Sequence, residues 1–237
     1  MVGDWGAHCG CVLVSCRASW TIEMKYRIGI LVALAFVVGG FWFVKSHLDK
    51  PLDYEALKAL GLLELDEPLH VDFDGLIAEG GNEFAKEQLL GKWTFAFFGY
   101  VNCPDVCPVT MGILRTAEST ISKTISDEKQ QRFQGMFVSV DPNRDTQTEV
   151  KEFVEHFSSN FVGLTGTEAA ISKLAAQVNI GYRKIPSASK VKYLVEHSER
   201  IVIFNPEGNC YGFIKPRTDV FDASQLAQLY KELARSG

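Results

Sequence analysis

Two cysteines four positions apart, Cys103 and Cys107, are the side chains of this sequence best suited to chemistry. They stand in the string Cys103-Pro104-Asp105-Val106-Cys107-Pro108, shortly after the unbroken apolar and aromatic run KWTFAFFGY. Such a run is the pattern of a strand buried on both faces. The next segment has helical spacing through Met111 and Leu114, with Pro108 suited to a first turn. The pair therefore falls in a strand-to-helix loop at the carboxyl end of a strand, where open α/β sheets bind ligands. The helix N-terminus carries partial positive charge and free N–H groups, which favour thiolate over thiol. The flanking prolines and this position argue against a purely structural disulfide. The pair alone does not separate redox chemistry from metal binding.

His197 lies ninety residues beyond Cys107, just before the apolar segment Ile201–Phe204 and after a polar loop. In a thioredoxin-like order of elements that loop abuts the cysteine loop. From the residues alone His197 is either a third ligand or a structural histidine. Asp105, between the cysteines, tunes their charge or shapes the turn. Asp141, at the end of a second buried strand, orients groups around the site or caps the turn. His47, His70 and His156 have no cysteine nearby and read as solvated or structural, and Cys210 as packed and inert.

The elements that must position these residues alternate. LLELDEPLHVDFDG reads as a strand or hairpin, KWTFAFFGY and GMFVSVDP as buried strands, and Thr146–Phe157 and Thr167–Val178 as amphipathic helices, the last capped by Thr167. RKIPSASKVK reads as a polar loop. YLVEHSERIVIF and NCYGFI read as two strands joined at Asn205-Pro-Glu-Gly208, and Ala223–Ala234 as a closing helix. Strand–helix–strand–helix followed by a hairpin and a helix is an α/β sandwich of thioredoxin type, expected over residues 61–237.

Residues 28–44 (IGILVALAFVVGGFWFV) carry no charge and are expected to form a single N-terminal transmembrane helix, with 45–60 as tether. No small-residue cleavage site follows closely, which favours an anchor over a cleaved signal peptide. Residues 1–27 form the leading tail. MKYRIGILVALAF, from Met24, reads as a bacterial signal anchor in itself, so residues 1–23 are expected to precede the true start and His8, Cys9, Cys11 and Cys16 to be without function. If that segment is translated, its three cysteines could hold a metal. A net charge of −5 and the lack of any Lys/Arg stripe exclude a nucleic-acid partner.

The chain resembles the Sco/SenC family of copper-binding proteins that serve cytochrome c oxidase assembly. The resemblance rests on FFGYVNCPDVCPVTM (97–111), SVDPNRDT (139–146), VGLTGT (162–167), YLVEHS (193–198) and NPEG (205–208), in the family's order and spacing over about residues 90–215. Glu196 stands where the family usually has Asp, and Val101-Asn102 replaces a Thr-containing pair; neither change removes a ligand. The resemblance implies a metal site made of Cys103, Cys107 and His197 that binds copper. Two thiolates and one imidazole suit Cu(I), and the divalent affinity order also favours Cu(II). Structural zinc normally takes four protein ligands. The implied function is a metallochaperone delivering copper to the binuclear copper site of the oxidase. Its partners would be the oxidase copper-binding subunit and another periplasmic copper chaperone. MKYRIGI is too short for a mitochondrial transit peptide and lacks the Ser/Arg-rich, acid-poor composition of one, so a bacterial cytoplasmic membrane with the domain in the periplasm is expected. The alternative is a thiol–disulfide reductase acting on the cysteines of that subunit, with Cys103 and Cys107 catalytic. The three-residue spacer and the histidine favour metal over the two-residue spacer usual in reductases. A peroxidase is disfavoured because Tyr100 occupies the place of a peroxiredoxin's Thr, and a copper-dependent redox sensor has no visible signalling partner.

Overall fold

Strands and helices alternate along the chain in the computed structural model, which describes residues 27–43, 54–130, 132–186, 193–214 and 222–235. Helix α1 (27–43) is followed by α2 (Tyr54–Ala59), β1 (Leu62–Leu69), β2 (Leu76–Ile77), β3 (Trp93–Gly99), α3 (Val106–Thr124) and α4 (Asp127–Gln130). Then come β4 (Phe133–Ser139), α5 (Gln147–Phe157), β5 (Val162–Gly166), α6 (Glu168–Gln177), β6 (Tyr182–Pro186), β7 (Tyr193–His197), β8 (Ile201–Phe204), β9 (Cys210–Ile214) and α7 (Ala223–Leu233). The chain divides into two compact units, Met1–Pro51 and Leu52–Gly237.

In the second unit seven strands form one sheet in the order β1-β9-β8-β3-β4-β5-β2. β3 runs parallel to β4 and antiparallel to β8, and β4 runs parallel to β5. Every residue of β3 and β4 is buried, which requires both faces of the sheet to be covered. Helix α3 packs beside α7 and α5, and its buried residues Cys107, Thr110, Met111, Leu114, Ala117 and Ile121 form one stripe with spacings of three and four. Cys107 is thus the first rung of a buried helical stripe, and this sets the direction of its side chain.

Local chemistry explains the boundaries. Thr146 caps α5 in a reciprocal capping box with Glu149, and Thr167 caps α6 by accepting from the Ala170 N–H. The β8–β9 turn closes through Asn205 N–H to Asn209 O (2.9 Å) and Gly208 N–H to Asn205 O (2.8 Å), with Gly208 at φ +72°.

Two readings of the sequence change. Arg183–Pro186, the start of the expected polar loop, belongs to strand β6 (Tyr182–Pro186). The segment from Tyr193, expected to run unbroken into Ile201–Phe204, breaks after His197 into β7 and β8. β6 and β7 pair antiparallel as a ribbon separate from the main sheet. Only Val195 of the ribbon is fully buried, so it lacks the apolar alternation that marks a strand in sequence.

Helix α1 occupies most of the expected anchor. All its residues are exposed, among them Phe36, Phe41 and Trp42. Among the described residues no helix is long and apolar enough to cross a membrane. At ~1.5 Å rise, residues 27–43 extend roughly 26 Å, against ~30 Å of bilayer hydrocarbon. The expected tail with His8, Cys9, Cys11, Cys16 and Met24, together with His47 and most of the tether, lies outside the described residues. So do residues 187–192 of the expected polar loop.

Candidate metal centre

β3 ends at Gly99, and the chain turns through a Cys103 N–H to Tyr100 O bond (3.1 Å) before α3 begins at Val106. Cys103 is therefore in the loop and half-buried, whereas Cys107 is in the first helical turn and fully buried. His197 ends β7 and points its Nε2 at the Cys107 Sγ, 3.4 Å away. One donor atom from each of Cys103, Cys107 and His197 lies within 4.8 Å of the other two. Bonds of about 2.0–2.3 Å to one ion need donors gathered this closely. Among the described residues the cluster has these three members.

The imidazole is held on several sides. Its Nδ1 lies 3.1 Å from Ser198 O, which orients the ring so that Nε2 is the nitrogen facing the sulfurs. The Phe97 and Tyr100 rings meet it edge-on, with centroids 5.6 and 6.0 Å away. This aromatic wall excludes water from one side of the site.

The two thiols differ sharply. The Cys103 sulfur is held far below the ordinary thiol range, first by the Cys107 thiol donating to it, then by His197 and the backbone N–H groups of Asp105 and Cys107. Cys107 is pushed up, because its proton is engaged by Cys103, because it is buried, and because the Cys103 and Asp145 charges oppose a second anion. In the metal-free protein the pair shares one proton, with the negative charge on the more exposed sulfur. Burial pushes the lone Cys210 thiol up to about 11, which makes it inert.

This asymmetry has a measurable consequence. A thiol whose pKa is lowered stays ionised, and so reactive, as pH falls. Iodoacetamide should alkylate Cys103 of the reduced protein at pH 5, where an ordinary thiol is ionised to only about three parts in ten thousand. Cys103→Ser should abolish that reaction, and Cys107 should stay unmodified. A pH profile for both thiols that rises only near pH 8.5 would contradict the arrangement.

The two aspartates expected from sequence go to different places. Asp105 caps α3 with no side-chain hydrogen bond, and its carboxylate is exposed; its backbone N–H is what reaches Cys103. Asp141 is buried, bonded to the Arg144 guanidinium and accepting from the Tyr193 hydroxyl at 2.8 Å. Asp145 is a third, which the sequence does not single out. Fully buried, its Oδ2 accepts from the Val101 N–H (2.9 Å) and the Ser139 hydroxyl (2.7 Å), tying the cysteine loop to the end of β4. Burial pushes its carboxyl up despite those bonds. Tyr100 is another neighbour that sequence reasoning misses: its hydroxyl accepts from the Val195 N–H and faces the Cys103 sulfur. The string DPNRDT holds both Asp141 and Asp145, but nothing local distinguishes a buried aspartate there from a turn-forming one.

Comparison with known proteins agrees with this geometry. The chain is 30% identical over 192 residues to "Protein SCO1, mitochondrial" of Saccharomyces cerevisiae, covering 78% of this chain and 62% of that protein. It is 28% identical over 188 residues to "Protein SCO2 homolog, mitochondrial" of Danio rerio, covering 78% of this chain and 65% of the relative. It thus spans less than two thirds of either relative. Among solved structures, Arabidopsis thaliana ScoI with copper bound superposes with a TM-score of 0.60 at 31% identity, over 70% of this chain and 96% of that one. Yeast Sco1 with copper bound gives a TM-score of 0.60 at 28% identity, over 70% and 88% of the two chains. The fold is that of these proteins, thioredoxin-like. With the family model for SCO1/SenC matching residues 65–234, a stretch that holds all three donors of the cluster, the chain belongs to the SCO1/SenC family.

Proposed function

We propose that this protein is a copper metallochaperone. It holds one copper ion through Cys103, Cys107 and His197 and passes it to the binuclear copper site of cytochrome c oxidase, by way of that enzyme's copper-binding subunit. The observation that carries the reading is the convergence of two sulfurs and one imidazole nitrogen within 4.8 Å in a family whose solved members include copper-bound ones. Two thiolates and an imidazole form a soft set suited to Cu(I), and three donors leave a side open for ligand exchange with an acceptor. Copper would be cargo, loaded by another periplasmic chaperone. Beyond Arg27 at its start, helix α1 is apolar all round and exposed along its length, the character of a helix made for lipid. It would hold the domain at a bacterial cytoplasmic membrane, with the domain on the periplasmic side.

Redox state would gate the site. When an oxidant takes two electrons from the cysteines, the two thiolates become one disulfide and both soft donors are lost. Titration of the fully reduced protein with Cu(I), against a chromogenic chelator, should give one tightly held equivalent. After oxidation of the pair the same titration should give none. Binding that survives oxidation would refute the assignment of the sulfurs as ligands.

A second reading is favoured by the asymmetry of the thiols. A half-buried thiolate backed by a buried thiol is the arrangement of a reductase. Cys103 would attack one sulfur of a partner's disulfide and expel the other as thiolate. Cys107 would then lose its proton and attack Cys103, freeing the second partner thiol and leaving the protein as a disulfide.

A further inference from the structure

The ribbon that delivers His197 makes no strand pairing with the main sheet, so other contacts must decide where the imidazole stands. Besides the Tyr100 hydroxyl on the Val195 N–H and the Phe97 and Tyr100 rings against His197, several of those contacts converge on one turn. Directly after β4, the Arg144 and Asp145 N–H groups both bond Asp141 O at 3.0 Å, and the Asp141 N–H bonds the Ser139 hydroxyl at 3.1 Å. From this turn the Asp141 carboxylate accepts from the Tyr193 hydroxyl at 2.8 Å and pairs with Arg144. The Arg144 Nη1 donates to Tyr193 O at 2.9 Å, and its guanidinium carbon sits 3.9 Å from the centre of the Tyr193 ring. Lys184, on the opposing ribbon strand, lies 4.0 Å from Asp141 and 2.9 Å from Glu168 of α6. Tyr193 opens β7, the strand that His197 closes.

The chemistry makes this a firm attachment. Asp141 is buried and its ion-pair partner largely so, hence both carboxylate oxygens depend on these donors and little on water. The ring of Tyr193 is gripped by a cation while its hydroxyl is bonded to the anion beside that cation. The same turn holds the cysteine loop through Asp145 and the Val101 N–H. One short segment thus touches both chain segments that carry the donors.

We infer that Asp141, Arg144 and Tyr193 form a latch that positions His197 against Cys103 and Cys107 and so sets the affinity of the site for copper. The inference rests on the copper reading proposed for the site. The three residues touch no metal; they act through the ribbon. Breaking the latch leaves both thiolates in place and frees the ribbon, so the site loses its nitrogen donor part of the time.

The test is a double-mutant cycle on the reduced full-length protein, with Cu(I) affinity measured by chelator competition. Tyr193→Phe keeps the ring over Arg144 and removes only the hydroxyl bond. It should weaken Cu(I) binding by about 10-fold or more, the range seen when a partner that orients a metal ligand is lost. In a His197→Ala background it should cause no further loss, because the residue through which it acts is gone. Asp141→Asn should give the same pattern. In the metal-free protein, amide hydrogen exchange at residues 194–197 should quicken in Tyr193→Phe and Asp141→Asn, with β3 and β4 unchanged. An equal loss of affinity in both backgrounds would mean general destabilisation and would overturn the latch. So would unchanged affinity together with unchanged exchange. If His197→Ala alone leaves affinity intact, the copper site itself is wrong, an outcome that stands apart from failure of the latch.

Discussion

Replacing His197 by alanine is expected to lower the affinity of the reduced protein for Cu(I) by more than about 100-fold, beyond the roughly 10–100-fold that losing an outer partner costs. The His197 Nε2 is the one nitrogen in the cluster, aimed at the Cys107 sulfur from 3.4 Å. Without it two sulfurs remain, one of them buried and protonated in the metal-free state. Thiol–disulfide exchange should survive the same change. The largest contribution to the Cys103 thiolate comes from Cys107, not from His197, so the nucleophile persists. Cys103→Ser should remove both activities, since it deletes a ligand and the attacking sulfur together. The pair of variants separates the two functional readings. Copper affinity unchanged in His197→Ala would remove the three-donor site and bring the reductase reading forward.

Gly99→Ala is expected to damage the site from the opposite side, by crowding it. A Cβ at Gly99 would stand 2.7 Å from the Cys107 Sγ, 3.1 Å from the Phe137 ring and 3.2 Å from the Phe97 ring. No Cβ is tolerated at 2.7 Å from a sulfur, and the neighbours that must yield are fully buried. Overpacking of this kind costs about 1–3 kcal/mol, which in a domain of this size lowers the melting temperature by roughly 2–4 °C for each kcal/mol. Cys107 is what stands in the way, so its sulfur must leave its present position relative to His197. Copper affinity should therefore fall by at least about 10-fold, comparable to losing a group that orients a ligand. Gly112→Ala serves as the control: a Cβ there meets nothing within 4 Å, in the same helix whose first turn holds Cys107. It should melt at or above the wild-type temperature, because alanine is the better helix former. Full copper affinity in Gly99→Ala would mean that the close seating of Cys107 under β3 does not matter to the site.

Much of the fold comes from short-range signals. The run Trp93–Gly99 is apolar almost without a break because its strand is covered on both faces, and Thr146 and Thr167 stand where helices need their first N–H groups satisfied. The turn Asn205–Gly208 closes on itself through its own side chain and backbone. Each of these features is decided within a few residues, so the linear pattern records it. The ribbon of β6 and β7 is not recorded in this way. Its residues are mostly half-exposed or exposed, and its strands are specified by pairing with each other and by the turn after β4.

The site divides along the same line. Cys103 and Cys107 announce themselves by spacing, by the strand before them and by the helix after them. His197, ninety residues away, is a histidine like others until a family resemblance or a structure sets it beside the sulfurs. Residue type and local order alone determined that two reactive thiols stand at a helix start behind a buried strand. Only the tertiary structure decided which thiol carries the charge, and that a turn built on Asp141, Arg144 and Asp145 holds both ligand-bearing segments. Burial and long-range hydrogen bonds create those differences, and neither exists until the chain has folded.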